Sequence, residues 1–121
     1  MQIEIHIKRA YQPADKADGH RILVDRIWPR GVKKAEAEVS EWIKEAAPST
    51  ELRKWFSHDP EKWKDFQKKY LDELKTNVAA DELLDLVKKH KKVTLVYSAK
   101  DEEHNQAVVL KHYLEKKLQS E

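Results

Sequence analysis

The chain has 121 residues, enough for one domain with one real core but not two. Lys plus Arg number 24 and Asp plus Glu 22, and 38% of residues are charged, against roughly 25% in an average globular protein. So even a balance argues against the concentrated basic face of a dedicated nucleic-acid binder, and the absence of cysteine excludes disulfides, thiolate nucleophiles and cysteine-ligated metal centres. No apolar run approaches the ~20 residues that span a bilayer, and Met1 to Ile5 enters a strand pattern without the apolar core of a signal peptide. A single cytoplasmic domain over residues 1–121 is therefore expected.

Ile3, Ile5 and Ile7 alternate with Glu4, His6 and Lys8, the period of a strand with one apolar face. Arg9 and Tyr11 lie where this strand ends. Gln12 to His20 is rich in breakers and has room only for a short helical turn. That length is near the lower limit for a crossover between parallel strands. Ile22 to Val24 is a continuous apolar run, as expected of a strand covered on both faces. Asp25, Arg26, Ile27, Trp28, Pro29, Arg30 and Gly31 leave it. Pro29 turns Trp28 away from helix and Gly31 can supply positive φ, so this stretch reads as a structured turn.

Val39, Trp42, Ile43 and Ala46 recur at i, i+3, i+4 and i+7, predicting an amphipathic helix from Glu36 that Pro48 stops. Ser49 is the expected cap of a second helix with Leu52, Trp55 and Phe56 as its buried stripe. Asp59-Pro60 repeats the start signal for a third, with Trp63, Phe66, Tyr70 and Leu74 along one side. Asn77 breaks it, and Leu83, Leu84 and Val87 mark a fourth from about Asp81 to His90. Val93 to Tyr97 is the clearest strand. Asp101 is the expected cap of a last helix running to about Leu118, with Ala107, Leu110, Leu114 and Leu118 as its inner row.

This order predicts an α/β domain: a small, mainly parallel sheet of about three strands packed with four or five helices in a layered, Rossmann-like arrangement. Ligands in such sheets sit outside the carboxyl ends of the strands. That rule gathers Arg9 and Tyr11, the Asp25–Gly31 stretch, and Ser98 to Asn105. Arg9, Arg26, Arg30 and Lys100 beside a helix N-terminus would attract a small anionic, phosphate- or nucleotide-like ligand. Ser98 and Asn105 would add polar contacts, and Trp28 would stack on the ligand. His104 in the first helical turn would be held neutral by the dipole and serve as a base, with Asp25 or Asp101 orienting it. The plainer reading gives Asp101 only a cap, Arg26 and Arg30 only acidic partners, and Trp28 a place in the core.

Other constellations carry less. His104 and His112 are eight apart rather than the i, i+4 of helical zinc sites, and the other histidines are scattered, so no metal is expected. Gly19 and Gly31 are the only glycines, so phosphate loops and dinucleotide fingerprints are absent and no cofactor is expected. The helical aromatics read as core, although a surplus would suit a homodimer or partner face.

Val24 to Val32 (VDRIWPRGV), Ala47 to Phe56 (APSTELRKWF) with His58-Asp59-Pro60, and Ala99 to Asn105 (AKDEEHN) resemble the signature of the YeaO-like proteins, a bacterial and archaeal domain-of-unknown-function family. The likeness runs in order along nearly the whole chain. It implies a small single-domain protein and adds Arg53, His58 and Asp59 to the candidate site residues. More distant members of the wider family tend to carry cysteine and a His-Arg pair around the third motif. Tyr97, Asn105, Gln106 and Ala107 stand in that neighbourhood here, which tells against thiol chemistry.

Overall fold

The structure, a computed structural model, describes residues 2–120. Four strands form one parallel sheet: β1 (Glu4–Arg9), β2 (His20–Leu23), β3 (Glu41–Trp42) and β4 (Lys92–Tyr97). Their spatial order is β1-β4-β2-β3. Five helices accompany them: α1 (Lys34–Ala37), α2 (Thr50–Phe56), α3 (Trp63–Lys75), α4 (Val78–His90) and α5 (Gln106–Gln119). The expected α/β layering is what the chain adopts. β1 and β2 run parallel, but each pairs with β4 rather than with the other.

The breaker-rich connection between them holds a 3-10 turn at Lys16–Asp18, with Asp15 and Asp18 capping each other's backbone N–H groups. Gly19 closes it at φ +68°, where an added Cβ would lie 2.4 Å from the Lys92 carbonyl oxygen. Only glycine lets this loop pass so close to β4.

The two faces of the sheet are covered differently. On one, Ile5, Ile22, Val24, Val93, Leu95 and Tyr97 pack against Phe56, Phe66, Tyr70, Leu83, Val87, Leu110 and Leu114 of the longer helices. On the other, Ala10, Leu23 and Val96 are covered by Trp28, Val32 and Val39. Beside this smaller cluster the Arg21 guanidinium is buried, 2.6 Å from Asp18 and donating to the Ala37 carbonyl. Lys8 reaches the same carboxylate at 3.2 Å.

The helix expected from Glu36 to Ala46 does not form. α1 ends at Ala37, where Glu38 takes a left-handed φ of 45°, and the chain then runs through β3 into a 3-10 turn at Lys44–Ala46. The apolar residues that looked like one helical face serve both sides of the sheet. Val39 packs on the smaller cluster, while Ile43 and Ala46 join the main core. A chain crossing the sheet edge produced a helical spacing by coincidence.

Ser49 caps α2 as expected, accepting from Leu52 N–H at 3.1 Å. Trp55 departs from the expected stripe: α2 has two turns, only Leu52 and Phe56 face inward, and Trp55 lies exposed beneath Lys62 and Lys69 at 5.2 and 5.1 Å. Asp59 caps a 3-10 turn at Pro60–Lys62 that leads into α3. Asn77 is itself the cap of α4, which therefore starts at Val78 rather than Asp81. Among the described residues, no helix is long and apolar enough to cross a membrane.

Candidate functional site

The carboxyl ends of β2 and β4 open onto a cavity of about 110 Å³. Its wall includes Asp25 and Arg26 after β2, Arg53 of α2, His58, Ser98 after β4, and His104, Asn105 and Gln106 where α5 begins; Phe56 and Phe66 supply its apolar part. Strand ends, a helix start and the α2–α3 loop converge because α5 and α3 pack side by side on the same face of the sheet.

Asp25 is a buried polar group of this wall, 7% exposed. Gln106 Nε2 donates to its Oδ1, and Trp42 Nε1 donates to its backbone carbonyl at 2.7 Å. Oδ2 is buried without a partner in hydrogen-bonding geometry among the described residues. Burial pushes the Asp25 pKa above its ordinary 3.8, and the nearby Ser98, Gln106 and the Arg53 charge offset this only in part.

Asp101 and His104 come together as expected, but not on a helix. Asn105 is the cap of α5, accepting from Val108 N–H, and residues 101–104 form a turn before it. Asp101 Oδ1 accepts from the Glu103 and His104 N–H groups at 2.9 Å, while Oδ2 lies 2.8 Å from His104 Nδ1. The His104 hydrogen bond is the main reason that the Asp101 pKa is lowered. Asp101 thus caps a tight turn rather than α5, and His104 lies outside the first helical turn. A helix-dipole effect on its imidazole loses its basis. With Nδ1 facing the carboxylate, the neutral ring keeps Nε2 as its acceptor. The ring stands edge-on to Trp63, centroids 5.1 Å apart.

The arginines are not a free anion clamp. Arg9 donates to the Ala99 and Ser98 carbonyls and so fastens the segment after β4. Arg26 donates to the Pro48 and Ala47 carbonyls, both at 3.1 Å, and lines the cavity while holding its rim. Tyr11 donates to the Arg30 carbonyl at 2.9 Å, pinning the turn. Trp28 donates to the Val32 carbonyl and packs on the smaller cluster across the sheet, 5.5 Å from Trp42. Arg30 and Lys100 are exposed and outside the cavity wall.

Arg53 and His58, suggested by resemblance alone, do line the cavity; Asp59 caps the following turn instead. Ser57 and His58 both take positive φ, 46° and 55°, which turns the chain from α2 back toward the strand ends. Gln106, which donates to Asp25, is not among the site residues that the sequence singles out. Its signal was its place directly after an Asn able to cap, in the first turn of a helix facing Asp25.

The family model of the inactive DUF488-N3 subclade matches residues 4–121. The chain belongs to that family. It is similar to the uncharacterised protein YeaO of Escherichia coli K12, 45% identical over 112 residues, which are 93% of this chain and 97% of that protein. Uncharacterised proteins of Mycobacterium bovis and Mycobacterium tuberculosis are each 43% identical over 82 residues, 68% of this chain and 70% of theirs. The YeaO-like resemblance of the three motifs therefore holds. No solved structure matches.

Proposed function

We propose that the cavity at the strand ends binds a small anionic ligand bearing an O–H or N–H donor, and binds it without turnover. The observation that carries this is the buried Asp25 Oδ2, without a partner in hydrogen-bonding geometry among the described residues, in a wall that also presents Arg53, His58 and His104. A buried acceptor without a partner costs about 1–3 kcal/mol, and a ligand donor would recover that cost. Arg53 would take the anionic end, since the Arg26 guanidinium is already held by two carbonyls. The volume of about 110 Å³ lies below the roughly 300 Å³ at which drug-sized pockets begin, which favours a phosphate- or hydroxy-acid-sized ligand over a nucleotide. The Asp101–His104 pair would allow proton transfer, but the description of the subclade as inactive supports binding rather than reaction.

Calorimetric titration of the full chain with inorganic phosphate and with glycolate tests this. Saturable binding is expected, weakened at least tenfold by Arg53→Ala and unchanged by Arg30→Ala. Absence of binding, or equal binding by wild type and Arg53→Ala, would reject it.

A second reading, a non-catalytic interaction or homodimerisation module, draws on the open groove of about 750 Å³ between β3 and α4. Trp42 and Val78, 38% and 70% exposed, lie along it. Light scattering at rising concentration would show a dimer on this reading and a constant monomer otherwise.

A further inference from the structure

At the opposite end of the sheet, the amino ends of the strands bring together three side chains that the sequence separates widely. His20 opens β2, Glu41 opens β3 and His90 ends α4. The fold dictates their meeting. The β2–β3 register sets Ile22 beside Glu41, so His20, two residues before Ile22, shares a sheet face with them. α4 precedes β4 and packs on that same face through Leu83 and Val87, which lays its last turn against the start of β2.

His20 Nε2 stands 2.6 Å from Glu41 Oε2, and the His20 and His90 rings are stacked, centroids 3.6 Å apart and 7° from parallel. One donor atom from each of the three residues lies within 4.8 Å of the others. Donors around one tetrahedral zinc ion stand ~3.4 Å apart, given bonds of ~2.1 Å. Convergence on one ion requires the stacked rings to swing apart, so that one nitrogen of each turns toward the Glu41 carboxylate.

We propose that His20, Glu41 and His90 form a binding site for one divalent transition-metal ion, with zinc the reference case. Two imidazoles and a carboxylate are the donor set that such ions favour, and three protein ligands leave a coordination position for water. The carbonyl end of α4 adds partial negative charge at His90. Lys89 in the same turn opposes any cation. The two imidazole nitrogens select for transition-metal ions and against magnesium or calcium, which favour oxygen ligands. A bound ion would tie α4 to β2 and β3.

The test is equilibrium dialysis of the chelator-stripped full chain against zinc, with cobalt(II) absorption to read the ligand field. One ion per chain is expected, with affinity reduced at least tenfold by His20→Asn, Glu41→Gln and His90→Asn, and unaffected by His112→Asn on the exposed side of α5. Magnesium should not compete, and Glu41→Gln should shift the cobalt bands. Should His20→Asn fail to fold, His90→Asn decides alone, since it changes a side chain at a helix end. Absence of one-to-one binding, or binding that survives His90→Asn, would overturn the proposal. Neither result bears on the cavity across the sheet, which contains none of these residues.

Discussion

Asp25 combines burial, an amide donor on Oδ1 and, among the described residues, no partner in hydrogen-bonding geometry on Oδ2. Its pKa is raised, so the sign of its contribution is opposite to that of a salt-bridged carboxylate. Below the ordinary 3.8 it is protonated in both the folded and unfolded chain and costs nothing as a charge. As pH rises past 3.8 the unfolded chain ionises first, and the folded state loses stability until the folded pKa is passed. Asp25→Asn keeps an oxygen for Gln106 and removes the charge. Its stability relative to wild type should therefore rise between pH 3 and pH 7 in urea denaturation. An unchanged difference across that range would show that the carboxyl carries no burial penalty. The gain at neutral pH would also mark Asp25 as a group kept for binding rather than stability.

At the scale of elements, helix starts were the most legible feature, because a cap is local chemistry. Ser49 accepts from Leu52 N–H, and its hydroxyl donates to Glu73 Oε2 at 2.6 Å, joining α2 to α3. Ser49→Ala should cost about 1–2 kcal/mol, at the upper end for a cap because Glu73 loses a partner as well. Denaturant midpoints of wild type and variant measure it; a cost near zero would mean that water replaces the hydroxyl. The same local logic read Asp59 and the strand Val93 to Tyr97. It failed at Val39 to Ala46, where the apolar spacing was set by tertiary crossing between sheet faces. It failed again at Asp101, because Asp and Asn cap equally well and the turn of residues 101–104 is closed by its own side chains. For the site, the strand-end rule found Asp25, Ser98 and His104. It gathered Arg30, which does not line the cavity, and not Arg53, which does and which only the resemblance suggested, since helix α2 reaches the strand ends through tertiary packing. His20 and His90 were beyond it altogether: a pair 70 positions apart in the chain has no local signature.

The whole molecule is held by two unlike halves. One face of the sheet is a conventional apolar core under helices; the other depends on a small cluster and on the polar network at Asp18. That network joins β1 through Lys8, β2 through Arg21 and, by way of the Arg21 bonds to Ala37, α1. Thr94 of β4 donates to the Asp18 carbonyl at 2.7 Å. Burial alone would raise the Asp18 pKa, but the Asp15 N–H, Lys8 and Arg21 outweigh it and leave the pKa lowered. Its stabilisation is thus fully present above the ordinary 3.8 and is lost as pH falls through the folded value. Asp18→Ala strands the Arg21 guanidinium, whose side chain is only 4% exposed, and should cost about 3–5 kcal/mol at neutral pH. The gap between wild type and variant should then narrow as the pH is taken below 3.8, the reverse of the Asp25→Asn trend. Urea denaturation of both proteins at pH 7, 5 and 3 measures the gap directly. A gap that stays constant with pH would mean that Asp18 acts through its turn geometry and not its charge.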